Sequence, residues 1–181
     1  IEKAIIWRTH VLAWAAHAGM RLEGDLVECG CYKGTSAKIV CDYLGLKNSP
    51  KSFYLYDLFE HSPDMKHEAM PAHGADLYRQ VAERFSGYPN VHITKGSVPA
   101  VFSQAPPPAK IAFLHLDMNN VEAEMGALHV LFDRLTPGAP LVLDDYGWLY
   151  YREQKFAEDR FFAERGYKVL ELPTGQGIVI K

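Results

Sequence analysis

The chain has 181 residues, of which 48% are hydrophobic and 23% are charged, and its formal net charge is -3. This length fits one domain with a substantial buried core. The small negative charge gives no electrostatic basis for binding nucleic acid or an acidic membrane surface, and the apolar runs are too short to span a bilayer. The composition therefore favours a single cytoplasmic domain, residues 1–181, that acts on small molecules.

The three cysteines predict buried, reduced thiols rather than a disulfide framework or a zinc site. Cys29 and Cys31 would point to opposite sides of a strand, and no further ligands at zinc spacing stand near them. The chain begins at Ile1 rather than at Met, which leaves open a preceding segment, and no secretory leader is visible.

Residues 1–21 predict a leading amphipathic helix, because apolar residues such as Ile5 and Leu12 recur with roughly helical spacing. The surplus of Trp7 and Trp14 leaves three further uses open: covering a sheet edge, packing on a preceding segment, or forming a contact between two copies of the chain. Packing in the core is the expected use.

From residue 25 onward the chain alternates strand-like and helix-like segments, which is typical of a mostly parallel sheet with helices on both faces. Two short apolar runs joined through a glycine-rich turn predict a C-terminal antiparallel strand pair. The predicted strands are 25–29, 52–57, 91–95, 111–117, 141–143, 169–172 and 178–180, and the predicted helices are 36–44, 75–85, 121–135 and 153–165.

Residues 59–74 predict a long irregular loop that acts as a lid over a site, with disorder as the alternative. The loop contains prolines, methionines and three histidines, His61, His67 and His73.

Acidic residues follow four of the predicted strands: Glu28, Asp57, Asp117, and Asp144 with Asp145. The carboxyl ends of parallel strands meet at one edge of an open sheet, where ligands bind. Carboxylates gathered there repel one another and invite a cation or a hydrogen-bonding polyol. Asp57 suits the hydroxyls of a ribose, and the last three acids offer a hard-oxygen site for Mg²⁺.

The loop after the first predicted strand has the spacing of a small-cofactor site. Gly30 and Gly34 let the backbone turn sharply and approach a ligand, and Thr35 or Ser36 is expected to cap the following helix. The G-x-x-x-G spacing lacks the third glycine of a dinucleotide fingerprint, which disfavours a nicotinamide-dependent oxidoreductase. It suits a cofactor that places only a carboxylate and an amine in the loop.

Four motifs, in this order along the chain, resemble the macrocin O-methyltransferase family: residues 28–34, 54–60, 116–119 and 144–147. The similarity extends from Gly24 to the end of the chain. It implies a class I, Rossmann-like methyltransferase that uses S-adenosylmethionine and a divalent metal to methylate a sugar or phenolic hydroxyl of a natural product.

The resemblance also implies roles for individual residues. The methionine half of the cofactor would lie at the first loop, the ribose at Asp57, and the adenine near Gly96 and Ser97. The loop residues expected at the cofactor are Glu28, Gly30, Cys31, Gly34, Thr35 and Ser36. The positions that match the family's metal ligands are Asp117, Asp144 and Asp145.

Asn119 departs from the family pattern. The family commonly has a second acid there, which acts as the general base beside Asp117, and an amide cannot take that proton. Three interpretations stay open: another group supplies the base, a divalent ion acidifies the acceptor hydroxyl enough, or the protein is a catalytically impaired relative that binds cofactor or a partner. His115 and the loop histidines are candidate bases, although a histidine inside a strand is more typical of a packed core.

The methyl acceptor is expected to be a small molecule held by the lid loop and by the segment after residue 145. Trp148, Tyr150 and Tyr151 offer ring surfaces there that suit a flat or sugar-like acceptor.

Overall fold

A computed structural model of the chain describes residues 2–61, 65 and 69–181. The described part alternates strands and helices, with short 3₁₀ turns at Leu46–Asn48, Ala100–Ser103, Phe132–Arg134 and Leu149–Tyr151. The strands are β1 (Asp25–Cys29), β2 (Phe53–Asp57), β3 (Val91–Lys95), β4 (Ile111–Leu116), β5 (Pro140–Leu143), β6 (Leu170–Glu171) and β7 (Gly177–Ile180). The helices are α1 (Glu2–Gly19), α2 (Thr35–Leu44), α3 (Leu77–Arg84), α4 (Val121–Leu131) and α5 (Arg152–Glu164).

The strands form one seven-stranded sheet in the order β3-β2-β1-β4-β5-β7-β6. The first five of these run parallel to their neighbours, whereas β7 pairs antiparallel with both β5 and β6. This topology confirms the predicted α/β class with its C-terminal antiparallel pair. The strand order reverses between β1 and β4, where Rossmann-like sheets bind their ligands.

Two hydrophobic clusters cover the two faces of the sheet. One contains residues of α1, α2 and α3, and the other contains residues of α4 and α5. All six residues of β4 are buried, which explains why this central strand is apolar except at His115. The helices therefore hold the carboxyl ends of the central strands as a rigid edge.

The expectation that Trp7 and Trp14 pack in the core is wrong. Both rings are more than half exposed, and α1 is buried instead through small residues such as Ala15 and Ala16. The cause is a close approach between α1 and β4: a Cβ atom at Gly19 would lie 2.4 Å from the Ala112 carbonyl oxygen. Large rings do not fit that side of the helix, so they face outward.

The expectation that Thr35 or Ser36 caps α2 is also wrong. The N-cap is Gly34, whose left-handed backbone (φ 68°) turns the chain into the helix without a side-chain cap. Thr35 is already the first helical residue, so its hydroxyl is not in the capping position. The cysteines match their prediction, because all three are buried and free.

The predicted lid, residues 59–74, lies partly outside the described residues, and His67 is one of its residues that fall outside them. At its start Phe59 is fully buried with a positive φ of 59°. No helix in the described part of the chain has the length and apolar character needed to cross a membrane.

Candidate active site

A cavity of about 750 Å³ opens at the carboxyl ends of β1, β2, β4 and β5. Its wall combines the first loop with the acids that follow the strands. Of the residues expected at the site, those at the wall are Gly30, Cys31, Thr35, Ser36, Asp57, Gly96, Ser97, Asp117, Asn119, Asp144 and Asp145. Glu28 and Gly34 are not at the wall.

Gly30 lets the first loop touch the end of β4. Its φ is +87°, and a Cβ atom there would lie 2.0 Å from the main-chain oxygen of Asp117. The Gly30 N–H donates to the Tyr56 carbonyl over 2.8 Å, and the Asp117 N–H donates to the Cys29 carbonyl over 2.9 Å. The loop is therefore fastened to both neighbouring strands and cannot accept a side chain at Gly30.

Asp57 and Tyr32 contact both ends of the segment 59–74 that the sequence predicts to be a lid. The Asp57 carboxylate accepts hydrogen bonds from the main-chain N–H of Tyr32 over 2.6 Å and of Phe59 over 2.5 Å. The Tyr32 hydroxyl accepts from the Ala72 N–H over 2.9 Å, near the far end of that segment. These bonds fix the orientation of the Asp57 carboxylate, and each oxygen keeps a further lone pair for a ligand.

Glu28 lies behind the cavity, paired with His115 on the adjacent strand. The two are register partners across β1 and β4, both are at most 1% exposed, and Glu28 Oε1 lies 2.8 Å from His115 Nδ1. His115 Nε2 lies 3.6 Å from Asp144 Oδ1. Burial opposes the charged imidazole, but the nearness of Asp144 and Glu28 outweighs it and raises the pKa of His115 well above its usual value.

Asp144 and Asp145 follow β5 and share one cation, Arg8 of α1. The guanidinium bonds the Asp144 carboxylate and lies 2.9 Å from Asp145 Oδ1. Gln176 Nε2 donates to the other Asp144 oxygen over 2.9 Å. Burial acts to raise the pKa of Asp144, but His115 and Arg8 together hold it well below the ordinary value.

Asp117 and Asp145 are less well compensated. Burial, followed by the charge of Asp144, raises the pKa of Asp117 well above its usual value and also raises the pKa of Asp145. The edge of the sheet therefore holds one strongly ionised acid, Asp144, beside two acids that favour additional positive charge.

Three donor atoms in this region lie close enough together to ligate one metal ion. One atom each from His115, Asp117 and Asp144 lies within 4.8 Å of the others, and His115 Nε2 is a buried atom without a hydrogen-bond partner among the described residues. Two carboxylates and a neutral imidazole are a suitable donor set for a divalent ion, so His115, whose pKa is raised here, would have to release its proton to serve as a ligand. Asp145, the third expected ligand, stands beside this group with Arg8 on its carboxylate.

Asn119 lies at the cavity wall in a left-handed conformation with φ 54°. Its Oδ1 is buried without a hydrogen-bond partner within the described part of the chain. The loop before it is braced by Glu124, whose Oε1 accepts from the Met118 N–H over 3.0 Å. Asparagine tolerates this backbone better than most residues, so the strained position is compatible with the sequence.

Sequence reasoning missed Arg8, Tyr32, Glu124 and Gln176. Arg8 carried a usable signal, because it is a lone cation in the apolar stretch 4–8 of a helix that is expected to pack on the sheet. Glu124 and Gln176 carried none, since their partners are more than five residues away along the chain and become neighbours only in the fold.

The sheet order, the reversal between β1 and β4 and the cavity at the strand ends define a Rossmann-like nucleotide-cofactor protein. A family profile described as a methyltransferase domain matches residues 27–146, which is more than half of the chain. The chain belongs to this methyltransferase family. No curated protein sequence matches it.

Solved methyltransferases share the fold at low sequence identity. The chain is similar to the O-methyltransferase NovP, with a TM-score of 0.77 and 17% identity over 96% of this chain and 79% of that one. It is similar to the calicheamicin methyltransferase CalS11, with a TM-score of 0.75 and 15% identity over 97% and 79%. The S-adenosylhomocysteine-bound methyltransferase PaMTH1 of Podospora anserina gives 0.61 and 18% over 100% and 88%.

Proposed function

We propose that the protein is a cytoplasmic, S-adenosylmethionine-dependent O-methyltransferase of the macrocin type, assisted by a divalent cation such as Mg²⁺. The observation that carries this proposal is the shared cavity, whose wall joins the glycine loop and Asp57 to the acids after β4 and β5. The family match adds methyl transfer as the chemistry. NovP is an O-methyltransferase and CalS11 is a TDP-rhamnose 3′-O-methyltransferase, which supports oxygen as the acceptor atom.

The proposed cofactor subsite follows the first loop from Gly30 to Ser36. Gly30 lets the loop pack against the end of β4, and Asp57 would accept hydrogen bonds from the two ribose hydroxyls. Gly96 and Ser97 would lie by the adenine. When bound, the cofactor supplies an electrophilic methyl group on sulfur. Glu28 is buried behind this loop, so it would influence the bound cofactor through its partner His115 rather than by direct contact.

The proposed acceptor subsite lies by Asp117, Asn119 and the acidic pair. Asp117 and Asp144 would hold the divalent ion, with His115 or Asp145 as the third ligand. The ion supplies positive charge that favours the deprotonated form of a hydroxyl bound beside it. The chain's own contribution would be to hold the acceptor in line with the methyl group and to keep water out. Trp148, Tyr150 and Tyr151 were expected to hold the acceptor, but they are not at the cavity wall, so they would contact only a part of a sugar-like or phenolic acceptor that extends beyond the cavity.

Calorimetric titration with S-adenosylhomocysteine tests the cofactor assignment. We expect saturable binding to the wild type, and binding on the order of ten-fold weaker for Asp57→Asn, since the amide removes a charge-assisted acceptor. Asp133→Asn is the matched control, because that acid is 86% exposed and is not at the cavity wall. Absence of binding to the folded wild type at millimolar ligand contradicts the assignment.

Asn119 favours a second candidate: a relative that binds the cofactor without transferring a methyl group. Its amide stands at the cavity wall where the family has a proton acceptor. In that case the protein would bind S-adenosylhomocysteine and show no turnover on any acceptor. Detection of methyl transfer to a catechol or a sugar nucleotide would reject this candidate.

A further inference from the structure

Arg8 occupies the carboxylates on which the proposed divalent ion depends. Its Nη2 lies 2.9 Å from Asp145 Oδ1 and 3.1 Å from the main-chain oxygen of Asp144, and it also bonds the Asp144 carboxylate. One guanidinium group thus bridges the two consecutive acids after β5. Burial opposes its charge, but Asp144 and Asp145 raise the pKa of Arg8 above its ordinary value.

Among the described residues of the cavity wall, Arg8 is the lysine or arginine that forms ion pairs with these acids. Lys33 is the other permanently charged cation there, and its ammonium group lies over the ring of Tyr32, 5.4 Å from the centroid. Beside His115, which lies 3.6 Å from Asp144, α1 thus supplies positive charge to these two acids, and sequence reasoning had linked this helix only to packing.

The same contacts fasten α1 to the sheet edge. Gln176, just before β7, donates through Nε2 to Asp144 Oδ1 over 2.9 Å and to the Arg8 carbonyl over 3.4 Å. Both the side chain and the main chain of Arg8 are thus tied to the end of β5. If Asp144 exchanges Arg8 for another cation, α1 loses a direct contact with the end of β5.

A guanidinium and a divalent ion compete for these oxygens. The guanidinium carries donors and no lone pair, so it cannot itself become a ligand of the ion. A carboxylate oxygen keeps a second lone pair, but two cations on the same carboxylates repel each other at short range. The ion therefore binds Asp145 and the Arg8-bound oxygen of Asp144 more tightly once the guanidinium has left.

We infer that Arg8 is an internal competitor for the divalent cation: binding of the ion at Asp144 and Asp145 displaces its guanidinium and releases α1 from the end of β5. This inference rests on the metal site of the proposed function. The displaced guanidinium can stack on the ring of Trp148, whose centroid is 5.8 Å from Arg8 Cζ. A second cavity of about 160 Å³ adjoins Arg8 and Asp144.

The first experiment measures ion affinity without cofactor or acceptor. Mg²⁺ and Mn²⁺ are titrated calorimetrically into the wild type, Arg8→Met and Lys33→Met. We expect Arg8→Met to bind on the order of ten-fold more tightly, in the range of ordinary coupling between two sites. Lys33→Met removes the same charge from the same wall without touching the acids, so its affinity stays within about two-fold of the wild type.

The second experiment follows α1 by amide hydrogen exchange. Saturating Mn²⁺ is expected to speed exchange in the segment around Arg8 of the wild type. In Arg8→Met the segment exchanges faster from the start, and Mn²⁺ adds no further change. Arg8→Gln, which keeps a polar side chain, serves as a second variant in case Arg8→Met fails to fold.

The outcomes separate this inference from the function on which it rests. Equal Mn²⁺ affinity in the wild type and Arg8→Met overturns the competition and leaves the metal site standing. Absence of ion binding by all folded variants at millimolar ion overturns the metal site and the competition together. Titration with S-adenosylhomocysteine in the same samples reports the cofactor site independently of both.

Discussion

At the scale of single residues, the proposed chemistry of the cavity depends on Asn119. Its backbone has φ 54°, its Oδ1 is buried without a partner among the described residues, and the loop that carries it is held by Glu124. Asn119 shares the cavity wall with the acids after β4 and β5. In the proposed function it would stand where a general base is expected, with a neutral amide in place of an acid.

Asn119→Asp tests whether the site lacks only a base. A carboxylate there would accept a proton, and general-base catalysis contributes about 10²–10⁴-fold in rate. We therefore expect methyl transfer to catechols or sugar nucleotides to appear or to rise by about that factor. The measurement is release of S-adenosylhomocysteine from labelled cofactor as a function of pH, where the gain should fade as the new acid becomes protonated.

Asn120→Asp is the control for that variant. Asn120 caps α4 by accepting from the Ala123 N–H over 2.9 Å, and aspartate fills the same capping role. The control adds an equal charge one residue away and should leave the rate within about two-fold of the wild type. Equal rates for the wild type and Asn119→Asp would mean that the base lies elsewhere or is not needed.

At the scale of elements, the site depends on how closely the β1–α2 loop approaches the end of β4. The approach is fixed by two main-chain hydrogen bonds and by the absence of a side chain at Gly30. Neither strand supplies the cavity alone. A small outward shift of the loop would widen the space between the proposed cofactor and acceptor subsites.

Gly30→Ala should disrupt this junction. The added Cβ meets main-chain oxygen at 2.0 Å in a left-handed backbone, so we expect a loss of about 2–4 kcal/mol in the free energy of unfolding and loss of S-adenosylhomocysteine binding. Denaturant titration and calorimetry measure the two effects. Gly45→Ala is matched in backbone, with φ 60°, but its Cβ meets nothing within 4 Å.

The control separates strain from collision. Gly45→Ala should cost only about 1–2 kcal/mol, the penalty of a left-handed alanine, and should bind the ligand normally. If both variants lose the same stability and both bind, close approach at Gly30 is not what shapes the cavity.

At the scale of the whole molecule, periodicity predicted the sheet well and long-range pairing poorly. The runs 25–29 and 91–95 match β1 and β3 to the residue. The signal of β1 is its buried apolar run, whereas the edge strand β3 has no buried residue and is marked instead by the β-branched residues Val91, Ile93 and Thr94. The outward rings of α1 and the placement of Glu28 behind the wall depend on contacts between distant segments. Such contacts leave no periodic trace in one sequence.

The candidate site was predictable to the same extent. Acids at strand ends placed Asp57, Asp117 and Asp144 on one edge, since topology alone brings those ends together. The counter-ion Arg8 lies 136 residues from Asp144 along the chain, and no spacing rule connects them. Charge compensation in a core is thus the part of a site that needs the fold.

A buried acidic pair between α4 and α5 is a second example of that limit. Glu124 of α4 is 1% exposed and Glu158 of α5 is fully buried beside it. Burial, followed by the charge of Glu124, raises the pKa of Glu158 well above its ordinary value. Between the unfolded glutamate pKa of about 4.3 and the raised folded pKa, the folded state therefore binds a proton that the unfolded chain has already lost.

Glu158→Gln should consequently stabilise the protein at neutral and alkaline pH. A carboxyl group whose folded pKa is raised lowers the free energy of unfolding as pH rises from the unfolded pKa to the folded one. Glutamine keeps the shape of the neutral acid and has no such loss, so we expect a gain of about 1–3 kcal/mol at pH 8 that shrinks toward pH 4. Denaturant unfolding across that range measures this gain.

Glu164→Gln, at an exposed position of the same helix, is the control and should change stability by less than about 0.5 kcal/mol at every pH. A Glu158→Gln protein that is less stable than the wild type at pH 8 would show that the ionised carboxylate is compensated inside the fold.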